Sequence, residues 1–246
     1  MSGIDISAII NFHDEGPLAH ASLKSAAAAK AFAERQGLRV EVIAVADKPD
    51  DATLNILSQA PGIDRLLTLA HGDPALARNS GVEVAAGKWI AFLDGDDLWG
   101  DNWLSAAHDF ALKDGRDVIL HPLASIYFGH ESYLYLHVDM EDPDFDLLSL
   151  SMTNYWTTLS FTRRDICVAV PFPVRDAKRQ IAFEDWGWHW ETVSRGIIHK
   201  TVPDTVHAVR MRQVSVLRRD TAANSLAAPT QLFRGMLPLG NHVQAP

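Results

Sequence analysis

The N-terminal half of the chain alternates between two kinds of apolar pattern. Short runs rich in β-branched residues are typical of buried strands, and between them lie segments with apolar residues at helical spacing. Asp73-Pro74 supplies the capping acceptor and the first-turn proline that commonly begin a helix. Predicted strands cover residues 4–10, 38–46, 63–69 and 88–93, and predicted helices cover residues 18–36, 50–59 and 73–86.

Strands that are separated by helices pair in parallel through right-handed crossovers. The chain therefore predicts an α/β fold, with a mixed, mostly parallel central sheet flanked by helices. In such sheets ligands bind at the carboxyl ends of the strands. Polar clusters follow three of the predicted strands, at Asn11–Glu15, Asp47 and Asp94–Asp97. We expect these clusters to meet at one edge of the sheet.

The second half of the chain is less regular. Trp99 and Trp103 lie four residues apart, which predicts that both pack from one helix face. Glu184–Ser194 is predicted to be a helix rich in aromatic residues. No linker composition separates two domains, so a single domain is expected. Further predicted strands cover residues 118–123, 133–138 (antiparallel) and 157–161, with a closing pair at 199–202 and 206–209.

The segment Asp94-Gly95-Asp96-Asp97 is the sharpest motif. Three carboxylates within four residues repel one another unless a cation lies among them, and oxygen ligands suit Mg²⁺ or Mn²⁺. The alternative is a solvated acidic turn that caps a helix near Asp101. Because the segment follows a buried strand at the ligand edge of the predicted sheet, a metal site is favoured.

Composition excludes several classes of protein. A net charge of −9 opposes nonspecific binding to a phosphate backbone, so no nucleic-acid partner is expected. The single cysteine, Cys167, excludes an intramolecular disulfide and a cysteine-based zinc site, and the eleven histidines show no His-Glu-x-x-His spacing. The N-terminus has no basic leader region and no apolar run reaches about 20 residues. We expect a cytoplasmic protein, with contact to a membrane only through a partner; the oligomeric state cannot be predicted.

Several motifs in order resemble those of the family 2 inverting glycosyltransferases of the GT-A fold. The central match is ARNSG at residues 77–81 with AAGKWIAFLDGDDLW at residues 85–99. Residues 6–15 resemble that family's first strand and loop, and residues 40–53 resemble its second strand and nucleotide loop. Phe183–Trp186 (FEDW) is similar to its acceptor-side motif, and Val209–Arg212 with Ser215 to its closing segment. Together the motifs extend over residues 4–218 and are far more specific than any one of them.

The resemblance implies a domain at residues 1–220, followed by a tail at residues 221–246. Its nucleotide-binding half is residues 1–100 and its acceptor-binding half is residues 101–220. Asp47 matches the acid that contacts a uracil or thymine base, although Lys48-Pro49 replaces the family's usual Gly-Ser. The other nucleotide-binding residues that the resemblance implies are Asn11, His13, Glu15, Arg78 and Asp94.

The resemblance also implies the residues that do the chemistry. Asp96 matches the ligand of Mn²⁺ or Mg²⁺, and Asp185 matches the general base, with Glu184 beside it as the competing candidate. The indole faces of Trp186 and Trp188 are predicted to stack on the acceptor. The same residues have a purely structural interpretation, because acids favour a helix N-terminus and aromatic residues commonly pack in a core.

The implied function is metal-dependent, inverting transfer of a sugar from a UDP- or dTDP-sugar to a hydroxyl of a saccharide or glycoconjugate, as in polysaccharide biosynthesis. One alternative is a nucleotidyltransferase, which needs a glycine-rich phosphate loop where this chain has only Gly16. The other is a noncatalytic module that binds nucleotide sugars. The presence of both the metal acids and the candidate base argues against such a module.

Overall fold

The computed structural model describes residues 3–213 and 220–228. The helices are α1 (Ala19–Arg35), α2 (Asp51–Gln59), α3 (Pro74–Val84), α4 (Trp103–Asp114), α5 (Arg164–Ala169) and α6 (Glu184–Ser194). The strands are β1 (Ile6–Phe12), β2 (Val40–Asp47), β3 (Arg65–Leu69), β4 (Trp89–Asp94), β5 (Leu98–Trp99), β6 (Val118–Gly129), β7 (Tyr133–Leu136), β8 (Phe161–Arg163), β9 (Ile181–Ala182), β10 (Ile198–Met211) and β11 (Leu226–Ala227).

One mixed sheet organises the molecule. Its strand order is β3-β2-β1-β4-β8-β6-β10-β5, and β7 pairs with β6 beside that path. The pairs among β1, β2, β3 and β4 are parallel, as is the pair of β6 with β10. The pairs that β8, β7 and β5 make are antiparallel. The prediction of a mixed α/β sheet flanked by helices is confirmed.

The N-terminal half forms the predicted succession of strands and helices. Asp50 and Asp73 cap α2 and α3, and the Asp73 carboxylate accepts from the backbone N–H groups of Ala75 and Leu76. Strands β1, β2 and β4 are almost wholly buried, since helices cover both faces of this part of the sheet. The carboxyl ends of β1 and β4 lie side by side, with Asn11 opposite Asp94.

Three predictions for the second half are wrong in detail. The closing pair is one strand, β10, which continues past an irregularity between Val202 and Val206 and pairs with β6 on both sides of it. Strand β8 begins at Phe161, where the predicted strand was expected to end. Trp99 belongs to β5 and not to the helix of Trp103, although both side chains are buried in the core.

The C-terminal end of the described chain returns to the domain. Leu226–Ala227 forms a short parallel pair with Ile181–Ala182, just before α6. The predicted domain boundary near residue 220 stays a prediction. Ser215 of the predicted closing segment and most of the predicted tail lie outside the described residues. None of the helices in the described residues combines the length and the apolar character that a membrane span requires.

Candidate active site

The acidic turn after β4 lies at the carboxyl end of the sheet, as predicted. The backbone N–H of Asp97 donates to the carbonyl of Asp94 at 3.0 Å, which closes the turn. A β-carbon at Gly95 would lie 2.4 Å from the Phe12 ring and 2.8 Å from the Asn11 carbonyl oxygen, so only glycine lets the turn pack against β1. The carboxylates of Asp94 and Asp96 keep 36% and 16% of their surface exposed.

Two arginines near the end of β10 hold this turn. The Arg210 backbone N–H donates to the Asp97 carboxylate at 2.6 Å, and the Arg212 Nε donates to Asp96 Oδ2 at 2.6 Å. Burial raises the pKa of Asp96, although Arg212 opposes that shift. Burial and the charges of Asp96 and Asp94 raise the pKa of Asp97 well above its usual range. The raised pKa values show that the arginines do not fully offset the cost of holding these carboxylates close together in a buried turn.

The loop after β1 closes over the same edge. His13 Nδ1 lies 2.6 Å from the Asp47 carbonyl oxygen, and Glu15 lies 3.5 Å from the Arg212 guanidinium. Burial raises the pKa of Glu15 to about 7. The Asn11 side-chain amide is enclosed here, and neither its oxygen nor its nitrogen has a hydrogen-bond partner among the described residues. A ligand with one donor and one acceptor would satisfy that amide.

Asp47 has a structural task that its sequence position did not reveal. Its two carboxylate oxygens accept from the backbone N–H groups of His71 and Asp73, at 2.7 and 2.9 Å. These bonds fix the loop between β3 and α3. Contact between Asp47 and a nucleobase stays a prediction, and any base must share oxygens that already have backbone donors.

Arg78 joins the two halves of the site. Its guanidinium, 4% exposed, pairs with Asp94 on β4 and with Glu184 at the start of α6, both at 2.9 Å. The guanidinium carbon of Arg78, Cζ, also lies 5.6 Å from the centre of the Phe172 ring. Because both acids approach one buried cation, the acidic turn and the first turn of α6 face each other.

Asp185 lies next to that pair and forms no ion pair with any of the described residues. Its Oδ1 accepts from the backbone N–H of Trp186 at 2.7 Å, and its Oδ2 accepts from the Asn154 amide at 3.2 Å. Burial and the negative charge of Glu184 raise its pKa to about 7, against the opposing charge of Arg78. A carboxylate poised near neutral pH suits a general base.

Asn154 is the site residue that the sequence did not indicate. It lies in a loop, 31 residues before its partner Asp185, with no motif around it. Its amide oxygen also lies 2.9 Å from Nδ1 of His189. The amide is therefore held on both sides while it presents a donor to the Asp185 carboxylate.

The two tryptophans assigned to the acceptor have different environments. Trp188 is fully buried, its ring stacks on Phe172 with centroids 4.5 Å apart, and its Nε1 donates to the Val170 carbonyl. It is a core residue and the prediction that it binds the acceptor is wrong. Trp186 remains partly exposed, with Nε1 donating to the Leu150 carbonyl, so its role toward the acceptor stays a prediction.

The ligand chemistry at the acidic turn fits a hard divalent cation. Asp94 and Asp96 offer carboxylate oxygens from one turn, and Mg²⁺ and Mn²⁺ favour oxygen ligands completed by water and phosphate. The Arg212 guanidinium occupies one oxygen of Asp96, so a metal ion and this arginine compete for the same carboxylate.

Comparisons with known proteins identify relatives of this chain. The sequence model described as glycosyl transferase family 2 matches residues 7–170. The poly(ribitol-phosphate) beta-glucosyltransferase of Bacillus spizizenii is 33% identical over 93 residues, which are 35% of this chain and 14% of that protein. The succinoglycan biosynthesis protein ExoO of Rhizobium meliloti is 42% identical over 65 residues, which are 26% of this chain and 19% of that protein.

Solved structures show the same fold at low sequence identity. S. aureus TarS 1-349 in complex with UDP-GlcNAc superposes with a TM-score of 0.68 at 16% identity, over 94% of this chain and 64% of that one. The matched stretches span less than a third of the curated relatives' own lengths. The GT-A fold that the motifs implied is confirmed.

Proposed function

The chain belongs to glycosyl transferase family 2, and from that membership we propose that it moves a sugar from a nucleoside diphosphate donor to a hydroxyl group, inverting the anomeric carbon. The observation that carries the proposal is the double pairing of Arg78 with Asp94 and Glu184, both at 2.9 Å. Through this pairing the first turn of α6, which carries Asp185, faces the edge of the sheet where nucleotides bind in α/β folds. An acceptor bound between Asp185 and this edge would have the general base on one side and the donor sugar on the other.

The proposed step is a single displacement. The acceptor hydroxyl gives its proton to the Asp185 carboxylate while its oxygen bonds to the anomeric carbon. The bond from that carbon to the donor diphosphate breaks, and the diphosphate leaves with the electron pair. One base and no enzyme nucleophile give inversion. Arg210 and Arg212 put positive charge beside the acidic turn, where the charge of the leaving diphosphate develops.

Asn11 supports recognition of a pyrimidine base. Its amide has no hydrogen-bond partner within the described part of the chain. The amide can donate one hydrogen bond and accept another, which matches the alternating carbonyl and imide N–H edge of uracil or thymine. We therefore keep a UDP- or dTDP-sugar as the proposed donor and place Asn11 beside Asp47 and His13 at the base. The acceptor is proposed to be a saccharide or glycoconjugate, and the names of the relatives are consistent with polysaccharide synthesis.

A divalent ion, Mn²⁺ or Mg²⁺, would be held by Asp96 together with Asp94. When bound, it would neutralise charge on the donor diphosphate. Because Arg212 pairs with Asp96, its guanidinium must release that oxygen or share the carboxylate when an ion binds. A location in the cytoplasm and contact with a membrane through a partner stay predictions.

The products released from a nucleotide sugar test the function. We expect the protein with Mn²⁺ and a UDP- or dTDP-sugar to release the nucleoside diphosphate, by slow hydrolysis or by transfer to an added saccharide. A nucleotidyltransferase would consume or release pyrophosphate instead, and a binding module would shift the melting temperature without turnover. Thermal-shift screening of nucleoside diphosphates, with and without Mn²⁺, identifies the donor class before turnover is measured.

Asp96→Asn is expected to abolish the increase in donor affinity that Mn²⁺ produces in the parent protein, because it removes the anionic ligand. Titration calorimetry with UDP, with and without Mn²⁺, measures the difference. Arg212→Gln should have the opposite effect and tighten Mn²⁺ binding, since it removes the competing cation. Asp109→Asn, which changes an exposed carboxylate on α4, is the charge-matched control. Unchanged Mn²⁺ linkage in Asp96→Asn would refute the ligand assignment.

The pH dependence of transfer is expected to report Asp185. Its pKa is raised to about 7, and a base acts only when deprotonated, so the rate should rise with pH up to about 7 and then level off. Glu15 also has a pKa of about 7. The two origins are separated by Glu15→Gln, in which the inflection should persist even if the rate is lower. Loss of the inflection in Glu15→Gln would mean that the inflection reports Glu15 and not Asp185.

A further inference from the structure

Three histidines meet in the interior, and one of them contacts the Asn154 side chain that donates to Asp185. His121 lies on β6, His189 on α6 and His199 on β10, and none of them has any exposed surface. One ring nitrogen of each lies within 4.8 Å of a ring nitrogen of each of the others. The ring of Trp156 stacks on His199 with centroids 4.1 Å apart and covers the group. The scattered sequence positions gave no sign of this cluster.

Neighbouring groups fix the tautomers of two of these rings. The Thr192 hydroxyl lies 2.9 Å from two carbonyl oxygens, which only accept, so its proton goes to them and its oxygen accepts from His199 Nε2. The Asn154 amide nitrogen donates to Asp185, so its oxygen accepts from His189 Nδ1. Both assignments leave a bare lone pair, on His199 Nδ1 and on His189 Nε2.

His199 Nδ1 accepts from His121 Nε2 at 2.8 Å, which leaves the lone pair of His121 on Nδ1. His121 Nδ1 and His189 Nε2 are both buried and have no hydrogen-bond partner among the described residues. A buried acceptor without a partner costs about 1–3 kcal/mol. A ring held by a hydrogen bond on one nitrogen, with the other nitrogen bare, is how proteins orient histidines toward a metal.

We propose that His121, His189 and His199 bind one divalent transition-metal ion, of which Zn²⁺ suits an all-imidazole set best. Burial keeps the three imidazoles neutral because it lowers the pKa of each. Neutral nitrogen ligands do not suit Mg²⁺, so this site differs in chemistry from the oxygen site at Asp96. The ion would tie α6 to β6 and β10, which fixes His189 and, through Asn154, the Asp185 carboxylate.

Metal binding itself does not depend on the proposed function; only the link to Asp185 rests on it. The test is therefore a binding measurement that involves no sugar or nucleotide. Chelator-treated protein is titrated with Zn²⁺ by calorimetry and with Co²⁺ by visible absorption. We expect one tightly bound ion per chain and the intense cobalt absorption that low-symmetry nitrogen sites produce.

Two variants and one control locate the ion. His189→Gln removes a ligand and is expected to weaken Zn²⁺ binding by more than about 100-fold, and Thr192→Val, which keeps the side-chain shape, by about 10–100-fold. His137→Gln is the matched control. That histidine is also buried, but Ser125 and the Tyr155 carbonyl already engage its two nitrogens. It should retain the affinity of the parent protein.

The parent protein alone gives an independent readout if a variant fails to fold. X-ray absorption at the zinc edge should show a shell containing three imidazoles, and excess Mn²⁺ should not displace the zinc. A shell of oxygen ligands, the absence of stoichiometric binding, or full affinity in His189→Gln would overturn the proposal. The cluster would then be a neutral hydrogen-bonded network. Failure of sugar transfer would refute the proposed function and leave this result untouched.

Discussion

Asp185→Asn is expected to leave nucleotide-sugar binding intact and to lower the rate of transfer by about 10²–10⁴-fold, the usual contribution of a general base. The change keeps the shape of the side chain and its contact with the Trp186 backbone, so the first turn of α6 should remain in place. Donor affinity is measured by calorimetry and transfer by release of the nucleoside diphosphate. Loss of donor binding together with activity would mean that Asp185 organises the site and does not act as its base.

Glu184→Gln is the matched comparison, because the two carboxylates are neighbours with different partners. Glu184 pairs with Arg78 at 2.9 Å, so its lone pairs are directed at a guanidinium and away from an acceptor. A glutamine still accepts from Arg78, and substantial transfer should remain. The negative charge of Glu184 raises the pKa of Asp185, so the inflection of the rate should move to lower pH in this variant. An inactive Glu184→Gln beside an active Asp185→Asn would reverse the assignment of the base.

The N-terminal half of the fold was predictable because the local sequence of each strand and helix indicates its type. Strands β1, β2 and β4 are continuous apolar runs, and Asp73 begins α3 with the capping bonds that its sequence predicts. Parallel pairing then follows from the intervening helices, and it places Asn11 beside Asp94. The acidic edge of the candidate site could thus be predicted from periodicity and connection rules.

The acceptor side depends on contacts between distant residues, which local patterns do not encode. The segment between Val202 and Val206 has the composition of a turn, yet both of its flanks pair with β6. The alternating aromatic residues on α6 do not reveal which face of the helix is buried. Trp188 was therefore predicted to contact the acceptor, whereas the structure places it in the core. Asn154 and the three-histidine cluster join different elements, and only the folded chain brings them together.

Arg78→Met is expected to destabilise the protein by about 3 kcal/mol, the lower end of the range for breaking a buried ion pair. The cost arises because Glu184, with 11% of its side chain exposed, loses its cation, while Asp94, at 36%, can still recruit water. Urea unfolding in the absence of donor measures the change in free energy. The double variant Arg78→Met, Glu184→Gln should recover part of the loss, because it removes the more buried uncompensated charge.

Arg163→Met is the control for removing an arginine as such. Its partners Asp117 and Asp165 are largely exposed, so its loss should cost less than about 1 kcal/mol. The Arg78 variant should also shift the pH inflection of transfer above 7, since the Arg78 charge lowers the pKa of Asp185. A stability loss as small as that of Arg163→Met, with an unmoved inflection, would mean that Arg78 does not couple the acidic turn to α6. The two halves of the site would then be positioned independently, and the geometry that carries the proposed single displacement would lose its support.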